Sequence, residues 1–136
     1  MALNLQDAVG RQYPLVARQY FTYEDLESGT LTPALGLPGN STVIGGEITI
    51  TEAFDSTTSD SFDVGDGDNA SRYASGVDGQ ATGRTALTLS GHKYTVPDTV
   101  DVTLTSVDGP PSVGAGYVEV HYVIEARANE VQPASA

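Results

Sequence analysis

Apolar residues recur at every second position in three segments of this chain, with polar residues between them. The clearest is Val100–Val107, where three apolar side chains alternate with Asp and Thr; Val43–Thr51 and Tyr117–Ala126 repeat the pattern. A period of two places alternate side chains on opposite faces of a strand, whereas a helix needs a period near 3.6. The segments therefore predict strands with one buried and one wetted face, as in antiparallel sheets.

Shorter segments of similar composition complete the predicted strands. They are Arg11–Tyr23, Ser61–Val64, Thr85–Leu89 and His92–Val96, and Gly, Pro, Asp and Ser residues separate them. In Thr85–Leu89 the two leucines, Leu87 and Leu89, are expected to point inward. The sequence therefore predicts an all-β fold, an antiparallel β-sandwich or jelly roll of about seven to eight short strands with an N-terminal arm. A small barrel is the less favoured alternative.

Composition divides the chain into three predicted parts. Residues 1–24 form an N-terminal arm and first strand, residues 25–127 the β-sandwich domain, and residues 128–136 a C-terminal tail. Two long segments within the domain are rich in turn residues and are predicted to be loops, 24–40 and 66–83. The first is expected to wrap a sheet edge, with apolar contacts made by three leucines, Leu31, Leu35 and Leu37.

The chain is strongly acidic, with 18 Asp and Glu against 6 Lys and Arg and a formal net charge of -12. Binding to nucleic acid or to an anionic membrane needs clustered cations, so neither is an expected partner. No apolar run approaches the length of a membrane span, and the first residues lack the apolar core of a secretory signal. The absence of cysteine excludes disulfides and thiolate metal sites. Strong acidity permits docking onto a basic surface.

Four acids, Asp60, Asp63, Asp66 and Asp68, suggest a test for calcium binding. An EF-hand loop starting at Asp66 fails because its fifth and twelfth positions are Ala70 and Val77. A different calcium loop stays open as an alternative, but Asp and Gly also build tight turns without any ion. We therefore predict no metal site and no cofactor.

No catalytic pattern stands out. The two histidines are His92 and His121, and no G-x-S-x-G motif accompanies them. His121 is expected on the polar face of a strand beside Glu119. Acids occur in nearly every predicted loop, so a pair suited to glycoside hydrolysis has no specific signature. The chain is therefore not expected to be an enzyme.

The segment Arg11–Tyr23 differs from the rest of the chain because it contains no acid. It holds two of the six bases and four of the ten aromatic residues. Arginine and aromatic residues are enriched at interface hot spots, although the aromatics could equally cover the core of an ordinary strand. The residues predicted to contact a partner protein or another subunit are Arg11, Tyr13, Arg18, Tyr20, Leu35 and Leu37.

Between Val43 and Glu125 the chain resembles small virion structural proteins of tailed bacteriophages. The resemblance rests on the strand VIGGEITITEAF, the segment TTSDSFDVGD, the loop RYASGVD, the segment KYTVP at Lys93–Pro97 and the final strand YVEVHYVIE. Several such proteins are capsid decoration (cement) proteins with sandwich or jelly-roll folds. The resemblance implies no catalytic residue, and it does not extend to the first forty or so residues.

This resemblance implies a decoration protein that binds the outer surface of the phage head and stabilises the mature shell. Its expected partners are the major capsid protein and further copies of itself, in a homotrimer near a symmetry axis. The alternative is a tail or head-fibre module that adsorbs to host glycan, with Tyr73 or Tyr94 beside the acidic loop as the aromatic platform.

Overall fold

Two antiparallel sheets pack face to face in the computed structural model, which describes residues 12–127. Within that range there is no α-helix, and no helix is long and apolar enough to cross a membrane. A single 3₁₀ turn covers Tyr23–Asp25. The strands are β1 (Leu15–Thr22), β2 (Leu31–Leu37), β3 (Ser41–Glu52), β4 (Ser59–Gly65), β5 (Ala74–Asp78), β6 (Gly83–Ala86), β7 (Lys93–Tyr94), β8 (Asp98–Val107) and β9 (Ala115–Ile124).

The strand order is that of a jelly roll. One sheet runs β1-β9-β3-β6, with the two-residue β7 also pairing with β3, and the other runs β2-β8-β4-β5. The edge strands of the two sheets are β1 and β6 in the first and β2 and β5 in the second, within the described residues. The predicted all-β sandwich is confirmed, with nine strands in the described residues.

The core lies between the sheets and follows the alternation seen in the sequence. On β8 the side chains of Val100, Val102 and Leu104 are buried, as predicted, and on β9 Val118 and Val120 are fully buried. Three phenylalanines fill one end of the core, with ring centroids 5.1 to 6.5 Å apart: Phe21, Phe54 and Phe62. The opposite face of each strand is thereby directed outward.

The interpretation of residues 24–40 as a loop is wrong for Leu31–Leu37, which form β2 and pair with β8. The register shifts between Pro33 and Leu35, at a β-bulge on an edge strand, where a proline is tolerated because it need not donate to the ladder. Leu35 and Leu37 are 7% and 2% exposed and belong to the core. Their side chains face the opposite sheet and not the surface.

Two further local predictions are wrong. The loop predicted for residues 66–83 contains β5, whose Gly76 has a φ of +66° and whose polar composition hides the strand. Strand β6 ends at Ala86, before both leucines. Leu87 is buried as predicted, whereas Leu89 is 47% exposed and does not point inward. Short edge strands are held by their neighbours, and their own sequences carry little signal.

The first strand is integrated into the sandwich. All eight residues of β1 pair with β9 in continuous register, and Phe21 is buried. The predicted arm at residues 1–11, including Arg11, and the predicted tail at residues 128–136 lie outside the described residues. The division of the chain at residues 24 and 127 stays a prediction.

Candidate interaction surface

The outer face of the β1-β9-β3-β6 sheet carries an ordered network of charged and aromatic side chains. The register places Arg18 beside Glu119, which in turn lies beside Glu47, and it places Tyr20 beside Tyr117, which lies beside Thr49. We call this set the outer-face network. Its members are Arg18, Tyr20, Glu47, Thr49, Arg84, Tyr117, Glu119 and His121.

Arg18 is the centre of the network at the β1 side. Its guanidinium carbon lies 4.0 Å from the ring centroid of Tyr117, in cation–π contact, and its Nη2 lies 2.7 Å from Glu119 Oε1. Its Nη1 donates to Tyr20 Oη at 3.1 Å. Hydrogen bonds with Tyr20 and Glu119 raise the pKa of Arg18 above its usual value. The arginine is thus fixed against the sheet in its charged form.

Two carboxylates, Glu47 and Glu119, lie directly opposite each other on β3 and β9, a pairing that repulsion would disfavour. Each has its own cation from an outer strand: Arg84 Nε lies 2.7 Å from Glu47, and Arg18 contacts Glu119. His121 Nε2 also lies 2.8 Å from Glu119.

The partners keep both carboxylates ionised. Hydrogen bonds from Arg84, Thr49 and Tyr117 outweigh burial and lower the pKa of Glu47 to about 2. Hydrogen bonds with His121 and Arg18 lower the pKa of Glu119. The face therefore presents paired charges of both signs between aromatic rings.

The structure brings together three of the residues predicted as contacts. Tyr13 and Tyr20 are each 63% exposed, and Arg18 lies on the same edge of the sheet. Val16, which the sequence did not single out, is 60% exposed between them. Leu35 and Leu37 are in the core and are not available at this surface, and Arg11 lies outside the described residues. The predicted segment is therefore a surface strip along β1.

Sequence reasoning did not identify Tyr117 as part of this surface. Alternation along β9 places Tyr117, Glu119 and His121 on one face, and this signal is present in the sequence. Their position beside Arg18 depends on the pairing of β1 with β9, which joins residues about a hundred positions apart.

The acidic loop after β4 is built around a buried carboxylate. Asp66 is 1% exposed, and its Oδ2 accepts from Arg72 Nε at 2.5 Å and from Tyr94 Oη at 2.7 Å. Its Oδ1 accepts from the backbone N–H groups of Asp68 and Asn69. Burial opposes ionisation, but these donors outweigh it and lower the pKa of Asp66. The carboxylate thus organises the loop from inside.

The other acids of the predicted calcium alternative also hold protein donors. Asp63 accepts from Ser71 Oγ and from the Gly76 N–H, and Asp60 accepts from Ser56, Gln80 and Ser106. Within residues 12–127 no three carboxylate or imidazole groups are placed to hold a metal ion. These aspartates accept hydrogen bonds that hold neighbouring turns and strands together.

The aromatic platform suggested for glycan binding is absent from the surface. Tyr73 and Tyr94 are 1% and 3% exposed, and their hydroxyl oxygens lie 2.6 Å apart inside the protein. The suggestion that either ring lies exposed beside the acidic loop is wrong, because both are buried behind Asp66.

Asp101, on β8, is buried like Asp60 and Asp66, and it has a single side-chain donor, Thr99 Oγ1 at 2.6 Å. Burial, together with repulsion from Asp98 and Asp66, raises the pKa of Asp101. A raised folded-state pKa means that Asp101 contributes stability below its unfolded-state pKa, and that this contribution is lost as pH rises through its folded-state pKa. We expect Asp101→Asn to be more stable than the wild type at neutral pH.

Urea unfolding of Asp101→Asn and wild type from about pH 3 to about pH 8 checks this expectation. The advantage of the variant should shrink toward zero in acid, where Asp101 is protonated in both states. A stability difference between variant and wild type that stays constant over this range would contradict the raised pKa of Asp101. A variant that is less stable than the wild type at neutral pH would contradict it as well.

Charge is distributed unevenly between the two ends of the sandwich. Four connections meet at one end within the described residues: 23–30, 53–58, 79–82 and 108–114. They contain five carboxylates, at Glu24, Asp25, Glu27, Asp55 and Asp108, and no Lys or Arg. This end is attracted to a basic surface.

Comparison with known proteins gives a clear result at the level of structure. No protein-family model and no curated protein sequence matches the chain. A chain in the capsid asymmetric unit of cyanophage Pam1 matches with a TM-score of 0.66 and 17% identity, over 91% of each chain. A chain in the acid-stable capsid of Helicobacter pylori bacteriophage KHP30 matches with a TM-score of 0.62 and 17% identity, over 82% of this chain and 87% of that one.

A chain in the capsid of Ralstonia phage GP4 matches with a TM-score of 0.60 and 18% identity, over 99% of this chain and 93% of that one. At identities this low the TM-scores of 0.60 to 0.66 establish a shared fold alone, over 82% to 99% of this chain. The resemblance to virion structural proteins of phages is confirmed at the level of the fold: this chain has a jelly roll found in the capsids of three bacteriophages.

Proposed function

We propose that this protein is a structural component of a phage virion, a decoration (cement) protein that binds the outer surface of the head and stabilises the mature shell. The observation that carries the proposal is the fold shared with chains of three phage capsids over 82% to 99% of this chain. A non-enzymatic role is part of the proposal, since the buried carboxylates described above are engaged with donors of the protein itself.

The partner in this proposal is the major capsid protein, and the contact surface is the β1 strip with the adjoining outer-face network. Exposed Tyr13, Val16 and Tyr20 supply apolar area, and Arg18 is already ordered by Tyr117 and Glu119. Ordered aromatic and arginine side chains lose little entropy on binding, which favours affinity. The net charge of -12 steers the protein to a basic surface.

Stabilisation follows from differential binding. A protein that binds the expanded shell more tightly than its precursor shifts the equilibrium toward the expanded form. Repeated copies on an icosahedral shell lie near symmetry axes, so a closed homo-oligomer, a trimer in this proposal, fits the geometry.

A binding experiment tests the proposal. Expanded heads of the virus that encodes this chain, prepared from a deletion mutant that lacks it, are mixed with the purified protein and sedimented. The wild type should co-sediment and raise the temperature at which the heads release DNA. Heads that neither bind the protein nor gain heat resistance would contradict the decoration role.

A pair of double variants tests the contact surface. Val16→Ser with Tyr20→Ser removes two side chains that are each at least 60% exposed, and we expect affinity for the heads to fall by at least about tenfold. The matched control, Leu89→Ser with Val96→Ser, removes side chains that are 47% and 65% exposed elsewhere, and it should bind as wild type does. Equal binding by both double variants would show that the contact with the head does not lie on β1.

A further inference from the structure

Strand β1 is an edge of its sheet in the part of the chain that the structure describes. It pairs with β9 on one side, and no strand within residues 12–127 pairs with its other side. Its eight residues run in continuous register without a bulge, and they include no proline, lysine or glycine. Such an edge presents a row of backbone N–H and C=O groups that another strand can bind.

The other edges of the described sandwich carry the features that usually prevent strand addition. Strand β2 contains Pro33 and a bulge, β5 has five residues and a bulge opposite β4, and β6 has four residues. Short, bulged or proline-containing edges resist pairing, so β1 is the edge suited to accept a strand.

A groove runs beside this edge. Strands β1 and β2 end their respective sheets on the same side, and the space between them measures about 320 Å³. Alternate side chains of a strand added to β1 would point into this space. The lining includes apolar residues of both sheets, among them Phe21, Pro33 and Val102, and it also includes Gln19, Tyr20 and Asp25.

Charge selects the occupant. Asp25 lines the groove, Glu24 and Glu27 lie in the same connection, and no Lys or Arg lines it. A second copy of this chain has 6 Lys and Arg against 18 Asp and Glu, so it supplies few cations to pair with the acids of this groove. A segment that carries Lys or Arg meets complementary charge instead.

We infer that β1 accepts an extended, basic segment of the shell protein as an added strand, with alternate side chains of that segment seated in the groove between β1 and β2. This inference rests on the proposed function and specifies how the contact is made. Backbone hydrogen bonds hold the added strand, and the acidic and apolar residues of the groove select the side chains of that strand.

Hydrogen–deuterium exchange with residue-level resolution tests the mode of binding, with the full-length protein free and bound to the heads that lack it. In an antiparallel edge strand, alternate amides point away from the neighbour, so about half of the β1 amides should exchange fast in the free protein. The exchange of these amides should become slow when the protein is bound to the heads. Binding without this change overturns strand addition but leaves the decoration role standing, whereas no binding overturns both.

Slow exchange of all β1 amides in the free protein would mean that residues 1–11, residues 128–136 or a second copy already occupy the edge, and it would overturn the inference.

The charge of the bound segment can be tested at Gln19, since this residue lines the groove and is exposed. We expect Gln19→Lys to weaken head binding by at least about tenfold and Gln19→Glu to retain it. Equal affinities for these two folded variants would overturn the basic segment as occupant.

Discussion

Replacing Phe62 with alanine is expected to lower the free energy of unfolding by about 3–5 kcal/mol. The Phe62 side chain is 0% exposed on β4, and its ring centroid lies 5.5 Å from that of Phe21 and 5.1 Å from that of Phe54. Truncation removes apolar contacts with both sheets and leaves a cavity that the surrounding strands cannot fill completely. Urea denaturation at equilibrium, followed by circular dichroism, measures the loss.

Tyr20→Ala provides the matched control, since it removes an aromatic ring that is 63% exposed on the outer face. Its cost should stay below about 1 kcal/mol. If Phe62→Ala cost no more than this control, the phenylalanine cluster would not be the centre of the core, and the packing of β4 against β1 would need to be revised.

The long central strands could be predicted from the sequence because each buries one face along many residues. Val100, Val102 and Leu104 on β8 alternate with polar residues, and the burial of all three follows from that pattern. Strand β2 could not be predicted in this way. Pro33 and Gly36 are turn formers by themselves, and pairing with β8 overrides that local preference.

The candidate interaction surface was predictable in part. Freedom from acids and richness in aromatics identified Arg11–Tyr23, and the structure places Tyr13, Arg18 and Tyr20 at one exposed edge. The cation–π contact between Arg18 and Tyr117 was not predictable, because it depends on a pairing of distant strands. The burial of Leu35 was missed for the same reason, since it depends on the recognition of β2.

The acidic loop illustrates a different limit. Asp66 and Arg72 are six residues apart in a segment without regular structure, so no periodicity indicates that they form an ion pair. The density of acids indicated a solvated loop, with calcium binding only as an alternative, whereas Asp66 is buried with donors on both oxygens. Composition reports the charge of a loop, and its fold decides which charges face the interior.

Replacing Arg72 with methionine is expected to destabilise the protein by about 3 kcal/mol, because it leaves the buried Asp66 without its cation. The Arg72 side chain is 16% exposed and that of Asp66 is 1% exposed, so water screens the pair poorly. The lowered pKa of Asp66 gives the expected pH dependence. Its contribution to stability is present above the unfolded-state pKa and is lost as pH falls through the folded-state pKa.

Arg84→Met is the matched control, since Arg84 makes an equivalent contact with Glu47 through a side chain that is 58% exposed. Exposed pairs contribute little, so this variant should lose less than about 1 kcal/mol. Urea unfolding at neutral pH and in acid compares the free energies of unfolding of the two variants with that of wild type. The difference between Arg72→Met and wild type should become smaller in acid, because Asp66 is then protonated. Equal losses for both variants, or a gap for Arg72→Met that widens in acid, would contradict a structural role for the buried pair.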